Sequence, residues 1–402
     1  MIHICFGLHD ADGKYSKFVG TALASVFENT KSEVTAHILH DNTLTEDNRK
    51  KISELAEKYK QSAQFHNVTE LCPDEINFMV EKLPEKIKAR FSIGSFYRLL
   101  IKKIIDVEKI IYVNADIIAN LDIAELWQQD LKDYPLAAVP EIEAALNRMN
   151  KNKFMLNKGI VKADNYFNAG VIVLDLTKID ETFFKDGVQW LAENPDSESP
   201  CQDILNFLFS ENYCKLMLKF NSLVEENRAW GVPSSKRIYH YKNRCLGLNL
   251  NDAYNRLFME NFARTTWFNA EIIGKIGAAI NKKHEQDLLL TQWMLKLQSE
   301  HRRAFFLYHD DALAIKSIFK IGYGEPILEI IDENSLKELV SKMNELRGRK
   351  VFLLFYKNYS TLAEVLSGQG FKEFSDFVDG RIFLTQEQGG SALPEYNFIR
   401  AM

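Results

Sequence analysis

The chain has 402 residues, 46% apolar and 26% charged, the balance of a globular protein with room for two domains and not of a disordered one. With 50 Lys and Arg against 55 Asp and Glu its net charge is −5, which argues against general nucleic-acid binding, since phosphates call for a basic surface. No run approaches the ~18 apolar residues of a membrane span, and the stretch Met1 to Gly7 lacks the basic region and apolar run of a secretory leader.

In chain order, Ile2 to Phe6 reads as a buried strand ending at Gly7, and His9 to Lys14 as a loop. Phe18, Val19, Ala22, Leu23 and Val26 recur at helical spacing between Tyr15 and Glu28. Val34 to Leu39 is a second strand, Asp41-Asn42 a turn, and Thr45 opens a second helix through Ile52, Leu55 and Tyr59. Strand, helix, strand, helix predicts a parallel sheet with crossover helices. Ile93, Phe96, Tyr97, Leu100 and Ile104 share a helical face, then Lys109 to Val113 is a buried strand ending at Asn114-Ala115-Asp116. Ala169 to Leu174 is another strand. Residues 268–300 read as a charged helical connector. Beyond it, strands at Ala304 to Tyr308, Pro326 to Ile331 and Val351 to Phe355 alternate with helices at Asp311 to Phe319, Ser335 to Leu346 and Ser360 to Leu366. We therefore expect two domains, 1–285 and 300–390. Five scattered cysteines (Cys5, Cys72, Cys201, Cys214 and Cys245) with no CxxC pair suit a reducing compartment.

Open α/β sheets bind ligands beyond the carboxyl ends of their strands, where Asn114-Ala115-Asp116 lies. A carboxylate there can hold a hard divalent cation, and a cation on a diphosphate stabilises charge building on a leaving group. Alone, the pattern is weak evidence and more often marks a strand-ending turn. The surroundings add to it. Tyr15 to Thr30, Ser95-Phe-Tyr-Arg98, Ile111 to Ile118, Leu121 to Trp127, Tyr166-Phe-Asn-Ala-Gly-Val171, Gln202-Asp-Ile-Leu-Asn206, Phe220-Asn221, His240-Tyr241 and Phe262 to Trp267 follow one another in an order that resembles glycosyltransferase family 8. Members are retaining enzymes with nucleotide-sugar donors on a GT-A fold, an α/β fold with a mixed, mostly parallel central sheet.

Carried onto this sequence, the resemblance implies that Gly7, His9 or Asp10, and Tyr15 lie by the nucleotide base and that Arg98 faces the diphosphate. It implies Asp116 and His240, with Asn114, as ligands of Mn2+ or Mg2+. Asn168 and Ala169 would line the sugar pocket, and Gln202 and Asp203 would sit beside the anomeric carbon as the catalytic pair. The expected donor is a UDP-hexose, and the expected acceptor a glycan or lipid-linked hydroxyl reached through variable loops such as Glu141 to Lys158. The expected setting is the bacterial cytoplasm, or its periphery at the membrane. Bland readings stand beside these: a structural salt bridge for Arg98, a core histidine for His240, a tight turn at Asn168-Ala-Gly, a helix N-cap for Asp203, an inert Cys201.

The chain departs from the family pattern where Asn114 replaces the first aspartate of the metal motif, where Cys201 stands for a common aspartate, and where Asn243 and Leu246 fall at positions usually glycine and lysine. Lys242 or Arg244 could substitute for that lysine. These departures support a second reading, a non-catalytic relative acting as a binding or scaffold protein. The C-terminal unit resembles small Rossmann-like modules of surface-polysaccharide enzymes, but Tyr308-His309-Asp310-Asp311 stands where a dinucleotide would need glycines. An accessory role without a dinucleotide follows.

Overall fold

The computed structural model describes residues 1–141, 154–227, 232–233, 236–241, 252–278, 280–281, 304–308, 328–329, 333–348, 351–355 and 359–379. Contacts gather the chain into two units, Met1–Ile273 and Gly274–Ala401. The helix expected at 311–319, residues 309–311 where a dinucleotide would need glycines, the end of the connector and the segment containing Lys242, Asn243, Arg244 and Leu246 lie outside the described residues. No helix among the described residues is long and apolar enough to cross a membrane.

In the first unit, β1 (Ile2–Leu8), β2 (Val34–His40), β3 (Ser62–Asn67) and β4 (Lys109–Val113) run parallel in the order β3-β2-β1-β4. The apolar residues of β1 and β2 are buried because helices cover the sheet, as a parallel sheet requires. The crossovers α1 (Tyr15–Asn29) and α2 (Glu46–Lys58) begin where their caps sit: Thr45 accepts from the Asn48 N–H, and Asp10 reaches from the preceding loop to accept from the Tyr15 and Ser16 N–H groups. Close packing seats α1. A Cβ on Gly20 would stand 2.2 Å from the Trp267 ring, whose indole N–H donates to Asn48 at 2.9 Å.

The remaining strands are β5 (Ile117–Asn120), β6 (Leu136–Pro140), β7 (Phe167–Asp175), β8 (Cys214–Lys215), β9 (Ser222–Leu223) and β10 (Arg237–His240). β7 is antiparallel to both β4 and β6, which makes the sheet mixed, with full order β3-β2-β1-β4-β7-β6-β8. Ala138 pairs with Ile172 but Val139 with Asn168, so Ala169 to Val171 have no partner on β6 and bulge. The Asn168-Ala-Gly stretch is thus a bulged strand start, two residues longer than the apolar run alone predicts, and not a turn before a strand. The helix expected after Ser92 is a 3₁₀ segment over Ile93–Leu100 that becomes α-helical only at Ile101–Ile104. Gly94 presses there against His9, where any Cβ would come within 2.7 Å of the His9 backbone nitrogen.

The link between sheets decides where the polar residues go. The Asn114 N–H donates to Gly170 O at 2.8 Å, the chain turns through Ala115 and Asp116, and β5 then pairs antiparallel with β10, Ile117 opposite His240. The Tyr241 N–H closes the turn by donating to Asp116 O at 2.7 Å. The Asn-Ala-Asp turn therefore joins the large sheet to a small one, β5-β10-β9, and brings Asp116 beside His240 across 124 residues of sequence separation.

A row of histidines crosses β1, β2 and β3 away from that turn. His3 Nδ1 lies 3.0 Å from His37 Nε2, and His37 Nδ1 lies 3.1 Å from His66 Nε2. Each neutral ring can donate once and accept once, so the row can make both contacts without carrying a charge. Burial, then the neighbouring rings, lowers the pKa of His37 to about 4; burial first also lowers His3, beside the Met1 amine, and His66, beside His40. The folded chain binds fewer protons than the unfolded one below the ordinary histidine value. Stability from this row is thus present above ~6.5 and lost as pH falls toward 4. Urea midpoints measured from pH 7.5 to 4.5 should fall less steeply in His37→Gln than in the wild type. Parallel curves would remove the row from the account.

In the second unit, β11 (Ala304–Tyr308), β12 (Leu328–Glu329), β13 (Val351–Phe355) and β14 (Phe377–Asp379) form a parallel sheet ordered β12-β11-β13-β14. Helices Glu333–Glu345 and Tyr359–Gly368 pack on it through Leu339, Met343, Leu362 and Leu366, against Phe352 and Phe377.

Candidate active site

His240 is buried, and its Nδ1 lies 3.0 Å from Asn221 Oδ1. The chain of bonds behind it fixes its tautomer. The Gly170 N–H, a donor only, donates to Asn168 Oδ1 at 2.9 Å; Asn221 Nδ2 donates to the same oxygen at 2.8 Å; Asn221 Oδ1 must then accept from Nδ1–H of His240. Nε2 is left with its lone pair, 3.2 Å from Asp116 Oδ1. That carboxylate oxygen is buried and has no hydrogen-bond partner among the described residues. Two acceptors facing each other at this distance repel unless a cation, or a proton on Nε2, joins them.

Arg98 is 6% exposed and its guanidinium lies 4.2 Å over the Tyr112 ring. Nε donates to Ser95 O at 3.0 Å, Nη1 to Ala169 O at 2.8 Å and Nη2 to Asn114 Oδ1 at 2.9 Å. Every one of these acceptors is neutral, so among the described residues a buried positive charge faces the site without a carboxylate bonded to it, and none of them makes the salt bridge that the bland reading of Arg98 expects. The contact also orients Asn114. Its oxygen is turned to Arg98, so its NH2 group faces His240 Nε2 at 3.4 Å.

On the other side, Gln202 lies in the first turn of the helix Pro200–Phe209. Its Oε1 accepts from the Ala169 N–H at 3.1 Å, and its Nε2 donates at 3.0 Å to both Glu141 Oε1 and the Tyr166 hydroxyl. Asp203, 3% exposed, accepts from Tyr166 at 2.6 Å, from Ser197 Oγ at 2.6 Å and from the Ser199 N–H at 3.3 Å. The N-cap is Ser199, and Asp203 ties that cap to β7 through Tyr166. Burial, then the charge of Asp203, pushes the Tyr166 phenol far above its ordinary value and keeps it a donor. Cys201 Sγ lies 3.3 Å from Ser95 Oγ, and burial raises its pKa, so it stays a neutral thiol.

At the end of β1, Gly7 is required because any Cβ would meet Gly94 O at 2.5 Å. Asp10, 1% exposed, caps α1 and accepts from Asn48 Nδ2 at 2.9 Å. His9 is held through Nδ1 at 2.5 Å by Asp41, which also accepts from Tyr97 at 2.6 Å. Burial opposes the charge on Asp41, but hydrogen bonds from Thr43, Tyr97 and His9 outweigh it and hold its pKa below the ordinary range. The Tyr15 hydroxyl is near the Ala115 backbone; burial of that end, then the charge of Asp116, raises its pKa. The structure thus brings Arg98, Asn114, Asp116, Asn168, Ala169, Gln202, Asp203 and His240 into one connected set, with Tyr15 linking it to the β1 end.

Sequence reasoning passed over Glu141, Asn221 and Asp41 as functional residues. Asp41 reads as a turn and Glu141 as a loop start, so neither carries a local signal; Asn221 stood in a motif without a role. Of the loop expected to meet an acceptor, 142–153 lie outside the described residues.

A carboxylate oxygen lacking a partner and an imidazole lone pair, the second held by an amide behind it, fit a divalent cation. Ligand atoms ~2.1 Å from an octahedral ion stand about 3 Å apart. The described residues contain no cluster of three His, Cys, Asp or Glu for a metal, and Asn114 as oriented offers NH2 and not oxygen. Asp116 and His240 would hold the ion, leaving its other positions to a ligand.

The chain matches the family described as glycosyl transferase family 8 over residues 8–243. Similar curated proteins include a putative glycosyltransferase of Haemophilus influenzae, 28% identical over 239 residues, 59% of this chain and 66% of that protein. Another is a lipopolysaccharide 1,2-glucosyltransferase of Escherichia coli, 26% identical over 223 residues, 53% of this chain and 60% of that one. The match therefore spans just under two thirds of their lengths. Among solved structures, the galactosyltransferase LgtC with donor and acceptor sugar analogues covers 68% of this chain and 99% of its own, with a TM-score of 0.55 and 22% identity, a likeness of fold. More than half of the sequence fits the family and its first unit has the GT-A fold: the chain belongs to glycosyl transferase family 8.

Proposed function

We propose that the protein transfers a hexose, glucose or galactose, from a UDP-sugar to a hydroxyl of a glycan or lipid-linked acceptor, with retention at the anomeric carbon, in the synthesis of cell-surface polysaccharide in the bacterial cytoplasm. The facing acceptors Asp116 Oδ1 and His240 Nε2 carry this reading, since a cation joining them can also take diphosphate oxygens. The name of the Escherichia coli relative supports glucose and a lipid-linked acceptor. In the reaction the bond from the anomeric carbon to the β-phosphate oxygen breaks, the bond to the acceptor oxygen forms, and the acceptor proton leaves with the diphosphate. A bound Mn2+ or Mg2+ supplies charge stabilisation on that leaving group. Arg98 adds a second positive charge, Asn168 and Ala169 line the sugar side, and Gln202 faces the anomeric carbon.

A thermal-shift screen of UDP-glucose and UDP-galactose, with and without Mn2+, tests the proposal, because a ligand of the folded state raises its melting temperature. No shift at millimolar nucleotide sugar with metal would remove it. Arg98→Gln keeps hydrogen bonding but removes the charge. It should lower UDP affinity about tenfold or more at low salt with little change in Tm, and equal binding isotherms would take Arg98 out of the donor site. We also propose that the first unit binds donor by itself. A chain ending near residue 300 should remain folded with the same UDP affinity, and an insoluble product would show that the boundary is wrong.

One observation favours a second reading, a donor-binding protein without transfer. The Asn114 amide faces His240 with hydrogens, where an aspartate would present oxygen to a metal. Donor binding without hydrolysis or transfer would select it.

A further inference from the structure

We infer that Glu141 is a positioning residue for the transfer step, the acceptor on which the orientations of two site amides end. The inference rests on the reading of Gln202 given above. Glu141 follows β6 and is 7% exposed. Its backbone N–H is tied to Tyr166 O at 2.9 Å, so the carboxylate starts from a fixed point of the sheet. Its Oε1 accepts from Gln202 Nε2 at 3.0 Å and from Asn168 Nδ2 at 3.4 Å. A carboxylate only accepts, so both amides must turn their NH2 groups toward it.

The consequences run along two arms. In the first, Gln202 presents its carbonyl oxygen away from Glu141. That oxygen takes the Ala169 N–H and keeps a second lone pair. A carboxylate on the NH2 end draws those hydrogens and makes the carbonyl oxygen more negative. Positive charge develops on the sugar ring as the leaving group departs, and a fixed, polarised oxygen stabilises it. In the second arm, Asn168 turns its oxygen to Gly170 and Asn221, which sets the His240 tautomer. One buried charge thus fixes groups on both sides of the site. A neutral glutamine at 141 could meet the amides with either end, so the Ala169 and Gly170 N–H groups alone would be left to orient them.

The experiment uses the full chain with Mn2+ and UDP-glucose and UDP-galactose, reading sugar release and donor KM. Glu141→Gln should lower kcat about ten- to a hundredfold, the range found for residues that orient ligating or reacting groups, with KM changed less than threefold and Tm nearly unchanged. Glu141→Asp, which keeps the charge on a shorter arm, should fall between. In a Gln202→Ala background, where only the Asn168 arm is left to lose, Glu141→Gln should cost less than it does in the wild type. Full multiplication of the two losses, or an unchanged kcat in Glu141→Gln, would overturn the inference. A Gln202→Ala protein as active as the wild type would overturn it through Gln202. If the wild type binds donor but releases no sugar, the transfer reading falls, and the Gln202 side-chain NH2 resonances decide the rest. Their movement in Glu141→Gln sustains the positioning role, and their constancy overturns it.

Discussion

Gly170→Ala is expected to abolish tight metal binding while leaving the protein folded. The added Cβ would stand 2.2 Å from His240 Cε1 and 2.7 Å from its Nδ1. Gly170 is held on both sides, its carbonyl by Asn114 and its N–H by Asn168. The strand cannot withdraw, so the imidazole must swing out. It then loses Asn221 and its place beside Asp116. Overpacking of this kind costs about 1–3 kcal/mol, a Tm loss of several degrees that a domain of this size survives. Affinity for Mn2+ should fall at least about tenfold, as when a partner behind a ligating histidine is removed. Calorimetric Mn2+ titration with UDP present, beside a thermal melt, separates the two effects. Metal affinity equal to wild type would mean that His240 is not a ligand.

The parts of this site that lay open in the sequence are those that one strand or one motif carries. Ile2–Leu8, Val34–His40 and Val351–Phe355 are short, mostly apolar and β-branched or aromatic runs, legible because a strand inside a covered parallel sheet shows little polar alternation. Asp116 and His240 were named through family resemblance, and the sheet pairing of Ile117 with His240 supplies the physical reason for their meeting. Short strands such as Ser222–Leu223 and Cys214–Lys215 have no periodicity to read. The bulge at Ala169 to Val171 is a mismatch between two strands and is written in neither alone. Asp10 and Asp203 look alike in sequence, acids near helix starts. Only the packing shows that Asp10 caps α1 from the loop, while Asp203 binds two hydroxyls and an N–H beneath Gln202. Glu141 is silent for the same reason. Its partners Asn168 and Gln202 come from other elements, and no spacing rule links them.

Asn114→Asp is expected to tighten Mn2+ binding, and Asp116→Ala to abolish it. In the native site Asn114 gives its oxygen to Arg98 and its NH2 to the His240 side, so the amide bridges a cation to a lone pair without contributing charge. A carboxylate would offer an oxygen in both directions, one to the guanidinium and one beside Asp116 and His240. At an effective dielectric of ~20, a carboxylate ~4 Å from a divalent ion gains roughly 8 kcal/mol of Coulomb energy. Loss of hydration, sharing with Arg98 and competition from the diphosphate offset most of it, leaving about 1–2 kcal/mol, or about tenfold in affinity. The same step weakens the field of Arg98 on the diphosphate, because the guanidinium gains an anionic partner in place of a neutral one. Metal affinity and UDP affinity should therefore move in opposite directions in metal-free and metal-loaded titrations: Asn114→Asp binds UDP more weakly without Mn2+ and holds Mn2+ more tightly with UDP. Calorimetry on the wild type, Asn114→Asp and Asp116→Ala reads both. Equal Mn2+ affinity in all three would place any metal elsewhere. A gain in metal affinity with no gain in donor hydrolysis or transfer would select the donor-binding reading. A gain in both would show that Asn114 restrains an otherwise complete site through the direction in which its amide is turned.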